Sequence, residues 1–212
     1  MSFEQGLFLT FEGVDGAGKS THVDWVVQWL EAKGKKVVST REPGGTPIGE
    51  SIRALVLNTP MHLETETLLM FAARAEHVRT LIEPALAAGQ WVVCDRFTDA
   101  TQAYQGAGRQ LGQSRVETLA KWVHPSLTPN RTWLFDVPLD VAKERLNRTR
   151  TQDRFEQEAL DFFQRTQQAY WGLAKQNPNR FKTIDGTQTI EHIREILAID
   201  LAQLLQLNEL KR

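Results

Sequence analysis

The residues Gly13-Val14-Asp15-Gly16-Ala17-Gly18-Lys19-Ser20 form a complete GxxxxGK[ST] series. Glycines at this spacing let backbone N–H groups turn inward on phosphate oxygens, and a helix starting at the serine adds its partial positive charge. In that geometry Lys19 reaches the β- and γ-phosphates of ATP, the hydroxyl of Ser20 faces Mg²⁺, and Thr21 completes the ATP-binding run. Two apolar runs end in an aspartate, WVVCD at Asp95 and TWLFD at Asp136. Either fits the acid that orients Mg²⁺ beside such a loop. A phosphate loop specifies a nucleotide and not a reaction. A GTPase switch needs an Asn-Lys-x-Asp base reader and an Asp-x-x-Gly turn after a strand, and neither occurs outside the loop itself. Arginines instead gather near the ends of apolar runs, which suits phosphoryl transfer between two bound nucleotides whose combined negative charge must be held.

These groups need a scaffold that brings strand ends together. Strands are expected over Leu7–Gly13, Lys36–Glu42, Trp91–Asp95, Thr132–Val137 and Phe181–Asp185. Helices are expected over Ser20–Lys33, Ile48–Leu57, from Thr65 most of the way to Ala88, and over Thr189–Leu205. Strands without polar alternation are buried on both faces, and alternation with helices implies an α/β fold with a parallel sheet. Ligands of such sheets bind beyond the carboxyl ends of the strands. The segments found there are Gly13–Ser20, Arg41–Thr46, Asp95–Arg96 and Asp185–Gly186, all chemically loaded.

Composition narrows the class further. The 212 residues suit one domain over 1–212, and the net charge of −1 excludes a polybasic nucleic-acid binder. The single cysteine, Cys94, excludes an intramolecular disulfide and a multi-cysteine metal site. No basic residue precedes Lys19, as a signal peptide would require, and no apolar run approaches the ~18 residues of a membrane span. The expectation is a cytoplasmic protein with no membrane or nucleic-acid partner.

With TREPGGT (Thr40–Thr46), CDRF (Cys94–Phe97) and TQAYQGAGR (Thr101–Arg109) beside FEGVDGAGKST, the chain resembles the thymidylate kinases from Phe11 to about Thr187. The resemblance implies a P-loop kinase fold with a five-stranded parallel sheet flanked by helices, Mg²⁺ dependence and a homodimer. It also implies transfer of a phosphoryl group from ATP to dTMP, a step of dTTP synthesis, by direct in-line displacement.

Roles follow position by position. The resemblance makes Arg96 the holder of the dTMP phosphate and favours Asp95 over Asp136, because Arg96 follows it directly. It places Glu42 and Pro43 against the acceptor nucleotide, with Arg53 as a further acceptor-phosphate arginine. Phe71 and Arg74, three apart on one helix face, become the thymine stack and the donor to its carbonyl; from the residues alone, Phe71 reads as core and Arg74 as a snorkelled charge. Thr101, Tyr104 and Gln105 share a face that contacts the base edge, with the tyrosine crowding a ribose 2′-hydroxyl, and Asp15 accepts from the sugar 3′-hydroxyl.

One departure bears on mechanism. The eukaryotic type carries an arginine in the loop where this chain has Gly16. The bacterial type implied here takes its catalytic arginine from a lid at about 145–156, where Arg148 and Arg154 are the leading candidates and Arg150 the third.

Overall fold

The computed structural model describes residues 6–149, 154–156 and 158–210, with the backbone alone at 148 and 149. Five strands form one sheet: β1 (Phe8–Glu12), β2 (Val37–Arg41), β3 (Trp91–Asp95), β4 (Arg131–Asp136) and β5 (Phe181–Asp185). Their order is β2-β3-β1-β4-β5 and every pairing is parallel. The crossovers run through α1 (Ser20–Ala32), α2 (Pro47–Asn58), α3 (Leu63–His77), α4 (Glu83–Ala87), α5 (Thr98–Thr101), α6 (Gln113–Val123), α7 (Leu139–Thr149) and α8 (Leu160–Gln176). The helix α9 (Ile190–Glu209) follows β5.

The continuous apolar strands divide between two faces because successive side chains point oppositely. Leu9, Phe11, Val93, Trp133, Phe135 and Ile184 pack with Val26 and Leu30 of α1 and Leu197 and Leu201 of α9. From the other face, Phe8, Val92 and Cys94 pack with Val78, Ile82 and Phe97. Leu134 and Phe181 join Phe162, Tyr170 and Leu173 of α8. Central β1 is buried along its length, as expected of a strand covered on both sides.

Local chemistry sets the helix ends. The Thr46 side chain accepts from Gly49 N at 2.9 Å with Pro47 in the first turn, and Thr189 caps α9 by accepting from His192 N at 3.2 Å. The helix expected from Thr65 to Ala88 is instead three pieces, with a π-helical turn at Val78–Ile82 between α3 and α4. Pro84 has no N–H to donate and its ring crowds the carbonyl one turn back, so the ladder widens just before it. A second π-helical stretch, Gln102–Gly108, follows α5 and carries Tyr104 and Gln105.

Candidate active site

The loop between β1 and α1 shows why its glycines are required. Gly13 has φ +129° and Gly16 has φ +79°. A Cβ at Gly13 would lie 2.2 Å from the Phe135 carbonyl oxygen, and one at Gly16 would lie 2.3 Å from that of Ala142. Any side chain at 16, an arginine included, meets the backbone of α7. Lys19 Nζ donates to the carbonyls of Gly13 and Val14, each at 3.0 Å, which pins the loop. Burial, reinforced by the nearby Arg96, pulls the Lys19 ammonium down to about 8. An anion against Lys19 relieves that desolvation.

The cleft above this loop is lined by 15–24 of the loop and α1, by Asp95 and Arg96, and by Gly186, Gln188 and Ile190 after β5. Asp95 Oδ1 is buried with no hydrogen-bond partner among the described residues, and the exposed Ser20 lines the same cleft. An orphaned carboxylate oxygen beside a hydroxyl fits a Mg²⁺ carried largely by phosphates and water.

A second cavity opens beside the first, lined by Pro43, Leu57, Met70, Arg74, Phe97, Ala100, Thr101, Tyr104, Gln105 and Phe155. The two share Asp15, Glu42, Arg53 and Arg96. Arg96 occupies the junction with φ +72°, a conformation a non-glycine residue holds only when its surroundings demand it. Its backbone N donates to Phe11 O at 2.9 Å, while Phe97 N donates to Glu12 Oε1 at 2.8 Å. The guanidinium donates to Gly13 O (2.9 Å), Tyr170 Oη (3.1 Å), Asp15 Oδ1 (2.7 Å) and Tyr104 Oη (3.0 Å). Burial opposes charge on Asp15, but Arg96 and Lys19 outweigh it and hold the carboxyl down to about 2. Arg53 donates to Pro43 O at 2.9 Å.

Deeper in this cavity, Arg74 is almost wholly buried. Its Nε donates to Glu42 Oε2 at 2.7 Å and its Nη2 to Thr101 Oγ1 at 3.0 Å. The other Glu42 oxygen lies 2.9 Å from His77 Nδ1. Arg74 Nη1 is buried without a partner among the described residues, a donor left over on a residue that lines the cavity. A ligand carbonyl is what such a group needs.

Comparison with known proteins decides the family. The thymidylate kinase family model matches residues 11–196. The chain belongs to that family. It is 60% identical over 201 residues to the thymidylate kinase of Bordetella pertussis, covering 95% of this chain and 97% of that one. It is 56% identical over 200 residues to that of Cupriavidus metallidurans, covering 94% and 100%. The crystal structure of thymidylate kinase from Ehrlichia chaffeensis superposes with a TM-score of 0.74 at 33% identity, over 92% of this chain and 99% of that one. The five-stranded parallel sheet is thus the family's P-loop kinase fold.

Most of the residues singled out in the sequence converge on the two cavities; the side chains of Phe71 and Arg154 do not. Phe71 is turned away from the acceptor cavity. It is buried against Leu111 and Val116 of the α6 region, with the Arg74 guanidinium 4.7 Å from its ring centroid. Met70 takes the cavity wall instead. The physical reason is helix phase: Met70 is four residues from Arg74, Phe71 only three, and here the four-residue neighbour shares the cavity side. The four-residue spacing to Arg74 is the signal in the sequence that marks Met70.

Arg154 also departs from its expected place. It donates through Nε and Nη2 to Val56 O at 3.2 and 2.9 Å and pairs with Glu66, and it lines neither cavity. Its extended side chain is consumed by α2 and α3, so it is not at the phosphate loop in this structure. Arg145, at the start of the expected lid segment, lines the donor cleft and donates to Gly186 O at 3.0 Å. The Arg148 side chain and all of Arg150 lie outside the described residues. Sequence reading also passed over Glu12, Glu66 and Tyr170, which stand behind the motifs.

Proposed function

We infer that the chain transfers the γ-phosphoryl group of ATP to dTMP, forming dTDP and ADP. One observation carries the reading: two cavities, one over the phosphate loop and one ending in an unpartnered Arg74 donor, meet at Arg53 and Arg96. The transferring group carries its charge on equatorial oxygens, and fixed cations at the junction stabilise that charge without reorganising. No side-chain nucleophile is needed, because an oxygen of the acceptor phosphate attacks the γ-phosphorus. In this reading Gly13 through Thr21 hold ATP, with Gly186 and Gln188 beside the base. Lys19 holds the β- and γ-phosphates. Ser20 and Asp95 hold Mg²⁺, which supplies charge compensation between those phosphates when bound.

On the acceptor side, Arg53 and Arg96 hold the dTMP phosphate and Asp15 accepts from the 3′-hydroxyl. Arg74 donates to a base carbonyl, Met70 and Phe97 flank the ring, and Glu42 and Pro43 shape the entrance. Tyr104, whose hydroxyl donates to Asp15 Oδ2 at 2.8 Å, is the residue that would crowd a ribose 2′-hydroxyl. Arg148, or failing it Arg150, is the lid arginine for the transition state in this reading, and Arg145 lines the donor cleft.

A homodimer belongs to the same reading. It is supported by exposed Ile48 and Leu55 of α2, Leu68 of α3 and Trp122 of α6 on helices that pack side by side. Among the described residues no helix is long and apolar enough to cross a membrane. The test is ADP release from ATP with a panel of nucleoside monophosphates. Turnover that needs dTMP and exceeds that with dCMP, dAMP and dGMP supports the reading; turnover indifferent to an added monophosphate overturns it.

A further inference from the structure

The acceptor cavity presents two polar groups whose hydrogen-bonding sense is dictated by buried carboxylates. At Arg74, Glu42 takes Nε and Thr101 takes Nη2, which leaves Nη1 as a donor. Close by, Gln105 Nε2 donates to Glu66 Oε1 at 2.8 Å. Glu66 is fully buried on α3, lies in none of the motifs, and does not itself line the cavity. Its charge is compensated by Arg154 Nη2 and by Arg109 Nε at 3.4 Å. An ionised carboxylate has only acceptors to offer, so it fixes which end of the Gln105 amide faces it. The NH₂ goes to Glu66 and the carbonyl oxygen is left to the cavity.

We propose that Glu66 is a positioning residue that determines base selectivity, by locking the Gln105 amide so that its carbonyl oxygen faces the acceptor base. The resulting wall offers a donor from Arg74 and an acceptor from Gln105. That pair complements a base edge with a carbonyl next to an N–H, as thymine and uracil have. Cytosine offers the reverse, an amino group next to an unprotonated ring nitrogen, and leaves both protein groups opposed to like. A site built to hydrogen-bond one pattern rejects the other because its buried polar groups are then left unpaired. The same carboxylate steadies a second part of the wall. Arg109 and Arg154, both held by Glu66, also lie 5.1 and 4.9 Å from the ring centroid of Phe155, which lines the cavity. This inference rests on reading that cavity as the acceptor-base site.

The experiment is Glu66→Gln, which keeps the outline of the side chain and lets either amide end face Gln105. The readout is the ratio of Kd for dCMP to Kd for dTMP, from calorimetric titration with dTMP and displacement of dTMP by dCMP. The ratio is expected to fall by about tenfold, the size of one hydrogen bond's contribution, chiefly through weaker dTMP binding. A ratio within about twofold of the parent overturns the role of Glu66, because a merely structural loss weakens both ligands together. Failure of the parent protein to bind dTMP would overturn the acceptor-site reading itself, a separate result. If that variant does not fold, Glu66→Asp is titrated in the same way, because it keeps the charge that faces Arg109 and Arg154 and draws the carboxylate back from Gln105 by one methylene. A lower ratio than the parent's supports the positioning role and a parental ratio overturns it.

Discussion

The donor and acceptor halves of the site are built on different principles. In the function proposed above, the donor half is centred on one contiguous loop: positive-φ glycines, a lysine tied to two loop carbonyls, and a helix N-terminus. The acceptor half draws Glu42, Arg53, Arg74, Arg96, Thr101, Tyr104 and Gln105 from segments far apart in the chain, and its recognition is by side chains. Two of its polar groups are themselves held by buried carboxylates, Arg74 by Glu42 and Gln105 by Glu66. Phosphate binding tolerates little variation and can be written into a short local pattern. Base recognition needs a shaped cavity with groups of fixed polarity, so it depends on packing around it.

Perturbations should separate the halves. The largest effect is expected for Phe71→Ala, which opens a cavity between α3 and α6 and should cost about 3–5 kcal/mol in unfolding free energy. Met70→Ala, one residue away, should instead raise the dTMP KM with a smaller loss of stability. Chemical denaturation of both variants, alongside acceptor KM values, checks the pair. A large KM change in Phe71→Ala with unchanged stability would return the stacking role to that residue.

Lys19→Ala should lower kcat by about 10²–10³ while dTMP binding stays close to the parent, because Lys19 faces the donor phosphates. Single-turnover rates with a separate dTMP titration measure the two quantities. Parental turnover would remove Lys19 from the chemistry. Arg96→Ala crosses the boundary between the halves and should weaken dTMP binding by about 10–100-fold, the range for a charge-assisted hydrogen bond, with a loss of rate as well. An acceptor affinity equal to the parent's would mean that Arg96 serves only to order Asp15 and Tyr104.

The smallest effect concerns the support beneath the junction. Glu12 is fully buried, accepts from Tyr170 Oη at 2.7 Å and from Phe97 N, and is pushed up to about 8 by burial and then by the nearby Asp99. An unperturbed glutamate titrates near 4.5, so between that pH and about 8 the folded state holds a proton that the unfolded state has released. Stability from this group is therefore full at low pH and declines as pH rises through the window. Glu12→Gln, neutral throughout, should lose less Tm than the parent between pH 5 and pH 8.5. Parallel Tm profiles for the two proteins would show that Glu12 is already ionised at low pH.

Much of this molecule is legible in the sequence, for identifiable reasons. The phosphate loop is local, and its glycines answer steric demands that any fold with this turn would impose, so Gly13 to Ser20 could be read directly. The strands are apolar throughout because both faces are covered, and that made the parallel sheet and the placement of Asp95 and Arg96 at its carboxyl edge readable too. The acceptor wall was less so. Whether Met70 or Phe71 faces the base depends on the rotation of α3 against α6, which packing sets to within a fraction of a turn. Arg154 reads as a phosphate ligand by charge and position, but its place is decided by Glu66 and the Val56 carbonyl, groups about 90 residues away in the chain. Glu12, Glu66 and Tyr170 carry no pattern of their own, because a buried partner is defined only by what it touches. Local sterics and hydrophobic pattern are properties of the sequence, whereas the polarity of the base pocket arises when distant side chains are buried against one another.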